Sequence, residues 1–397
     1  MRKTHASKWV LLILSLSSAA PLLAIRGVGA AATITDLFAF PSADGSDPQF
    51  LMQASDSNLY GTTYRNGGSV FGITPAGSFS LLHKFVSDPV SGQYLNGEFP
   101  TSLAEGADGF LYGIATSGGP LIGLPVSSPG NIFKVSKTGS GFEIVHSFCS
   151  APNCGDGAHP GSLILGSDGN FYGSTSAGGS FQGTACQYLG CGVIFRLSPG
   201  GTYTVLYAPS SGQTAAGVAL QATDGNFYSL CEADSGGHPG VCRMTTSGQV
   251  STIFTFPSTA WPRSLSTQGS DGLLYGTVTV GNNAQAIFQL STSGTNFAQL
   301  LETPIQCCVK ESFSRVIQAS DGNLWVTNPN AQLFGTVYSE TPSGTLLQTV
   351  PFGGKTNGSA PTFLIQGSSG QLYGTTYGGG STGAGTVFSI NAGLPPK

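Results

Sequence analysis

The segment SDSNLYGTTYRNGG around Tyr60 recurs as ADGFLYGIATSGG at Tyr112, SDGNFYGSTSAGG at Tyr172, TDGNFYSLCEADSGG at Tyr228, SDGLLYGTVTVG at Tyr275, SDGNLWVTN at Trp325 and SSGQLYGTTYGGG at Tyr373. Seven copies spaced 47 to 60 residues apart leave little choice of architecture. A unit that short cannot bury its own apolar face and must stack on its neighbours. Each copy holds four runs of strand character: P-x-x-L ahead of the Ser-Asp-Gly turn, L-Y-G-T-T after it, G-x-V-F-x-L beyond a variable loop, and T-V-L-Y-x-F after P-x-G. Four short strands at this period predict an all-β, seven-bladed β-propeller with four-stranded antiparallel blades. The Asp-Gly pairs suit tight hairpins, because Gly takes positive φ without steric cost and Asp tolerates turn geometry.

The fourth-strand pattern occurs only six times after a third strand, as FSLLHKF, FEIVHSF, TYTVLYAP, VSTIFTFP, FAQLLETP and LLQTVPF. A seventh copy, ATITDLFAFP, precedes all the others. Residues 33–40 are therefore expected to pair with strand 385–390 as the outer strand of the last blade, closing the ring and leaving no open seam. With 33–40 outermost, the next strand is innermost. The Ser-Asp-Gly and Pro-x-Gly turns then share one face, and the variable loops and blade-to-blade crossings share the other.

The 59 Gly, 24 Phe and 9% charged residues fit short strands and turns. Ahead of the repeats, Arg2, Lys3 and Lys8 precede WVLLILSLSSAAPLLA and then GVGAAA, the pattern of a secretory signal peptide cut near Ala30 to Ala32. The expected division is a signal peptide over 1–31 and one propeller domain over 32–397, secreted, periplasmic or on the cell surface, with no membrane span after cleavage and monomeric. Without Arg2, Lys3, Lys8 and Arg26, 11 basic residues face 19 acidic ones, a net charge of −8. Phosphate binding needs clustered Lys and Arg, so nucleic acid is not an expected partner.

Eight Cys in an exported chain point to disulfides rather than to metal or redox chemistry. Local pairing of Cys149 with Cys154, Cys186 with Cys191 and Cys231 with Cys242 is expected. The neighbours Cys307 and Cys308 read as a vicinal disulfide or as two separate thiols. All eight fall on the variable-loop face or its edge.

GSDGNFYGSTSAGG followed by GVIFRLSPGGTYTVLY, and QLYGTTYGGGSTGAGTVFSI at residues 371–390, resemble the tandem repeat of the GloVer family, secreted bacterial "choice-of-anchor tandem repeat GloVer-containing" proteins. The resemblance covers nearly the whole mature chain. It implies an exported repeat protein and supplies no catalytic residues. After Ile390 the sequence shows neither a sorting helix nor a basic tail.

Chemical motifs are weak. Asp56, Asp108, Asp168, Asp224, Asp271 and Asp321 occupy one turn slot, filled by Ser369 in the seventh copy, and lack the spacing of a calcium loop. His83 and His146 share a fourth-strand slot with Tyr207, Phe254 and Phe38, which marks them as packing residues. GGKT at 353–356 lacks the first glycine and the strand-loop-helix context of a phosphate loop. The expected ligand surface lies where inner strands enter the channel from the variable face: Glu98, His159, Trp261, Arg263, Glu311 and Arg315, with Tyr94, Tyr188, Glu232 and His238 on nearby loops. Aromatics mixed with single charges suit a polysaccharide, or another cell-surface or protein ligand. The leading expectation is a non-enzymatic binding module without cofactor or metal. The alternative is an enzyme of the kind that DGNLWVTN resembles, a streptogramin-lyase or gluconolactonase propeller, with Glu98, His159 and Glu311 as its only plausible metal ligands.

Overall fold

A computed structural model describes residues 32–41, 46–119, 128–179, 190–209, 215, 217–233, 237–281, 284–303 and 314–397. Over 32–397 these residues form seven four-stranded antiparallel sheets, each in the order first to fourth strand. The first blade comprises Pro48–Gln53, Leu59–Thr63, Ser69–Ile73 and Phe79–Lys84. The following blades span 98–147, 158–207, 220–255, 260–303 and 316–351. The last combines Ser359–Gln366, Leu372–Gly378 and Thr386–Asn391 with Thr33–Ala39. The protein is a seven-bladed β-propeller, as the repeat period requires.

Ring closure takes the form the strand count predicts. Thr33 pairs with Asn391, Asp36 with Phe388 and Ala39 with Thr386, with one bulge between Asp36 and Phe38. First strands of neighbouring blades touch around the axis, for example Pro48–Gln53 against Glu98–Glu105 and Ser359–Gln366, so they are the innermost strands. Antiparallel registers place the 55–58 and 74–78 turns at one end of the first blade and the 64–68 loop at the other. The two faces are thus divided as the sequence implied.

The apolar core is seven slabs, one between each pair of neighbouring blades. Between the first two blades, for instance, Tyr60, Val70 and Phe85 meet Leu111 and Phe133. A fully buried ring such as Phe133 contributes about 1.5–3 kcal/mol. The L-Y-G-T glycine allows this packing, because a Cβ on Gly173 would collide with the Phe195 ring. On the rim, aromatic faces stack from blade to blade: Phe38 on Phe79 at 4.0 Å, His83 on Phe142 at 3.6 Å, His146 on Tyr203 at 3.8 Å and Phe254 on Phe297 at 4.7 Å. His83 and His146 are packing residues, and burial pushes the His83 pKa down to about 4.

The repeated Asp residues are turn residues. Five of the six accept a hydrogen bond from the tyrosine four residues on, at 2.8 Å for Asp56–Tyr60, Asp108–Tyr112 and Asp168–Tyr172, 2.6 Å for Asp224–Tyr228 and 2.7 Å for Asp271–Tyr275, whereas Asp321, with Trp325 in the tyrosine slot, accepts from Asn323. Burial would raise the Asp56, Asp168 and Asp224 pKa values, but hydrogen bonds from Tyr and Asn outweigh it and hold them below the ordinary range. Burial first, then the neighbouring carboxylate, pushes Tyr172 up to about 12, and raises Tyr60, Tyr112, Tyr228 and Tyr275 further. A tyrosine with a raised folded-state pKa keeps a proton that the unfolded chain releases near pH 10, so its stabilisation is complete below pH 10 and declines above it. Denaturant midpoints are expected to hold to about pH 9.5 and to fall steeply between about pH 10 and 12, with the tyrosinate absorbance of these five turn residues appearing only as the ring unfolds. Titration of these five tyrosines near pH 10 in the folded protein, resolved by NMR, would contradict this account.

A second repeated contact joins blade to blade, and the sequence reading missed it. A Gln at or near the end of an inner strand accepts the backbone N–H of the preceding blade's turn: Ser167 to Gln221 at 2.7 Å, Thr223 to Gln268 at 2.8 Å, Ser270 to Gln318 at 2.6 Å, Ser320 to Gln366 at 2.8 Å and Ser368 to Gln53 at 2.7 Å. The last of these clasps spans the ring closure. Glu105 serves the same way for Ser55, at 2.7 Å, and also pairs with Lys137. Leu165 occupies the slot in the third blade, so that junction lacks the bond.

Disulfides join Cys149 to Cys154 and Cys231 to Cys242, as expected. Cys242 lies within a strand opposite Ser229, so its bridge ties the second and third strands of the fourth blade together. Cys191 is disulfide-bonded. Cys186, Cys307 and Cys308 lie outside the described residues.

Candidate functional site

The sequence L-Y-G-T-T-Y occurs at residues 59–64 and again at 372–377, in the first and last blades. Ring closure makes those blades neighbours, so Tyr64 and Tyr377 occupy equivalent slots where the second strands reach the variable face. They are 39% and 44% exposed, in contrast to the buried Tyr60 and Tyr373 of the same segments. Between them lies a cleft of about 480 Å³, lined also by Asp47, Arg65 and Phe99.

Arg65 holds the cleft together. Its Nε donates to Asp47 Oδ2, and its Nη2 donates to the Tyr377 hydroxyl at 2.6 Å. Asp47 is 5% exposed whereas the Arg65 side chain is 57% exposed, so the carboxylate is a fixed anchor and the guanidinium still faces solvent. Those hydrogen bonds, Asp47 first, hold Arg65 further towards its charged form. On the other side of the cleft, Tyr64 stacks on Phe99, with centroids 4.5 Å apart and planes 18° off parallel.

Two of these side chains are set by unusual backbone. Asp47 and Phe99 each precede a proline and have left-handed φ, at 59° and 58°, as do His159 at 54° and Ala360 at 55°. Such a conformation costs on the order of 1–3 kcal/mol for a residue with a side chain. Hydrogen bonds from the preceding blade's loop hold it: Phe99 N–H to Gly67 O at 2.9 Å, His159 to Pro129 at 2.8 Å and Ala360 to Phe334 at 2.7 Å. Because the strain recurs in four blades, it belongs to the blade crossing. What differs from blade to blade is the side chain presented there.

None of the described residues expected from sequence lines this cleft. Glu98 sits beside Phe99, half-buried; burial raises its pKa and a Ser117 hydrogen bond draws it partly back. His159 Nδ1 lies 3.4 Å from the Thr116 carbonyl. Tyr94 is half-buried, and a Cβ on Gly67 would strike its ring, so it supports the 64–68 loop from behind. Trp261 is 57% exposed, and Arg263 Nε donates to Thr279 Oγ1 at 3.1 Å. Glu232 and His238 flank the loop of the fourth blade. Arg315 stands on an inner strand's approach to the channel, its Cζ 4.2 Å above the Phe363 ring. Tyr188 and Glu311 lie outside the described residues. Among the described residues, no three His, Cys, Asp or Glu side chains come together in a group that could hold a metal ion.

Residues 26–187 match the family model of the Gloeobacter/Verrucomicrobia repeat. No curated protein matches the chain. Among solved structures, the extracellular domain described as part of a hybrid two-component system of B. thetaiotaomicron superposes with a TM-score of 0.59 at 12% identity over 91% of this chain. This chain spans 42% of that one. An oligogalacturonate lyase in complex with manganese reaches a TM-score of 0.57 at 13% identity, covering 91% of this chain and 93% of its own. YCF48 from Cyanidioschyzon merolae reaches 0.57 at 10% identity, covering 90% and 98%. At these identities the likeness establishes the fold and nothing finer. The chain is therefore a closed seven-bladed β-propeller whose residues 26–187 match the Gloeobacter/Verrucomicrobia repeat.

Proposed function

We propose that the protein is an exported binding module, with residues 1–31 removed as a signal peptide and 32–397 acting as one monomeric propeller that takes a carbohydrate in the Tyr64–Tyr377 cleft. The observation that carries this reading is the combination of two exposed tyrosines and Phe99 with an Arg65–Asp47 pair. Aromatic faces stack on the C–H faces of sugar rings, while guanidinium and carboxylate groups meet hydroxyls with directional hydrogen bonds. A cleft open along the surface admits one or two residues of a longer glycan without needing a chain end. Disulfides suit an oxidising compartment outside the cytosol. Among the described residues no helix is long and apolar enough to cross a membrane.

Glycan-array screening of 32–397, followed by titration of the best ligand, tests the site. Tyr64→Ala and Tyr377→Ala are each expected to weaken binding by roughly twofold to tenfold, at about 0.5–1.5 kcal/mol per stacked ring. A glycan bound equally well by the double variant would place its site elsewhere.

A further inference from the structure

The channel contains a second, smaller feature, independent of the cleft. The inner strands of the last three blades and the 393–397 segment enclose a cavity of about 150 Å³, lined by Ser266, Thr267, Arg315, Gln366 and Lys397 among others. Arg315 is held by its stacking over Phe363 and by its backbone N–H, which donates to Thr327 Oγ1 at 3.3 Å. Among the described residues its guanidinium has neither a hydrogen-bond acceptor nor an ion-pair partner, and its Nε is completely buried. Among the described residues no carboxylate side chain lines the cavity, which Lys397 also reaches.

Among the described residues this arrangement lacks an electrostatic complement. A buried charge is normally paired or coordinated, because removing it from water without a partner is costly. Lysine and histidine escape that cost by losing a proton, whereas arginine stays charged. Gln366 does not act as the acceptor: its Oε1 takes the Ser320 N–H at 2.8 Å and no bond from Arg315 Nε, and its Nε2 is a donor committed to Ser320 Oγ at 2.7 Å and Pro395 O at 3.2 Å. Ser266 Oγ is hydrogen-bonded to Ser264 Oγ at 2.9 Å. Room, donors and positive charge are present together, and among the described residues no negative charge answers them.

We propose that this channel cavity is a binding site for a small oxyanion, a carboxylate or a tetrahedral group such as sulfate, held by the Arg315 guanidinium. Burial alone pushes the Arg315 pKa down to about 10, consistent with a cation that has no counter-charge. The planar fork of donors matches the paired oxygens of either kind of group. The stacked Phe363 fixes the fork's orientation in advance, which lowers the entropy lost on binding.

Calorimetric titration of 32–397 with sodium sulfate, and in a parallel arm with sodium acetate, at constant ionic strength balanced with chloride, tests the site. Saturable one-to-one binding of at least one probe is expected, and the stronger one identifies the geometry preferred. Arg315→Gln should weaken that binding by about tenfold or more, the loss typical of a charged hydrogen bond. It should also melt at a higher temperature than the parent without anion, since a buried unpaired charge is gone. Ser266→Asp, which supplies a counter-charge without removing Arg315, should abolish anion binding even if Arg315→Gln does not fold. No saturable heat with either probe, or binding undiminished in either folded variant, would overturn the assignment.

Discussion

Deleting residues 33–39 is expected to unfold the last blade and lower the melting temperature by more than ten degrees, or to leave no folded protein at all. The segment contributes the whole outer strand that pairs with Thr386–Asn391. It also carries Leu37 and Phe38 into the slab between the last and first blades, where Phe38 stacks on Phe79 and abuts Phe40. Removing two or three largely buried apolar side chains forfeits on the order of 5 kcal/mol, comparable to the net stability of a typical domain. The loss also opens the ring, because the 386–391 strand becomes an exposed edge available to another chain. A synthetic peptide covering 32–41, added to the deletion variant, should restore the melting temperature in a concentration-dependent way, since the strand is held by pairing and packing. Scanning calorimetry of the parent, the deletion and the complemented deletion checks this. A deletion variant that melts with the parent would mean that the ring is closed some other way.

Replacing Glu340 by leucine is expected to stabilise the protein, and to do so more at pH 8 than at pH 4.5. Glu340 ends the third strand of the sixth blade, in the slot that holds Ile73, Val135, Leu197, Met244, Leu290 and Ile390 elsewhere. It is 0% exposed, and among the described residues neither carboxylate oxygen has a hydrogen-bond partner. Burial pushes its pKa from 4.5 up to about 7. The folded protein therefore holds a proton that the unfolded chain releases between pH 4.5 and 7, so the group's relative contribution is greatest below pH 4.5, falls as pH rises to 7, and is flat above. That shift corresponds to about 3 kcal/mol lost across the window. Glu340→Leu should recover this at pH 8 and add apolar packing, whereas Glu340→Gln should recover part of it at pH 8 and nothing at pH 4.5. Urea midpoints of all three proteins at the two pH values provide the measurement. A stability gap independent of pH would show that Glu340 titrates alike in the folded and unfolded chains, contrary to its burial.

Both predictions concern places where local pattern and tertiary context bear differently on the chain. The outer strand 33–39 was legible because a strand pattern is local, and a missing copy at one end matched a surplus copy at the other. The Asp-Tyr turns and the aromatic slot of His83 and His146 were legible for the same reason: seven copies show which positions a turn or a packed face requires. Glu340 is visible as a break in the G-x-V-F-x-L pattern, but only its complete burial without a partner among the described residues gives the break a meaning. The Gln clasps are equally visible as a Gln shortly before the turn in most copies. Their role appears only when the next blade's strand lies beside the previous blade's turn.

The cleft shows the limit most clearly. Arg65 and Tyr377 are 312 residues apart, and the inner-strand residues near the expected surface, His159 and Trp261, occupy the same pre-proline slot as Phe99 in other blades. Sequence alone determined the strand count, the blade order, the closing strand and which loops share a face, because period-two alternation and turn chemistry act over a few residues. Tertiary structure decided which side chains meet: Tyr64 with Phe99, Arg65 with Asp47 and Tyr377, and Arg315 with no partner among the described residues. Those meetings depend on the distance and angle between blades. These are set by how seven apolar slabs pack as the ring closes, and no local stretch of chain encodes them.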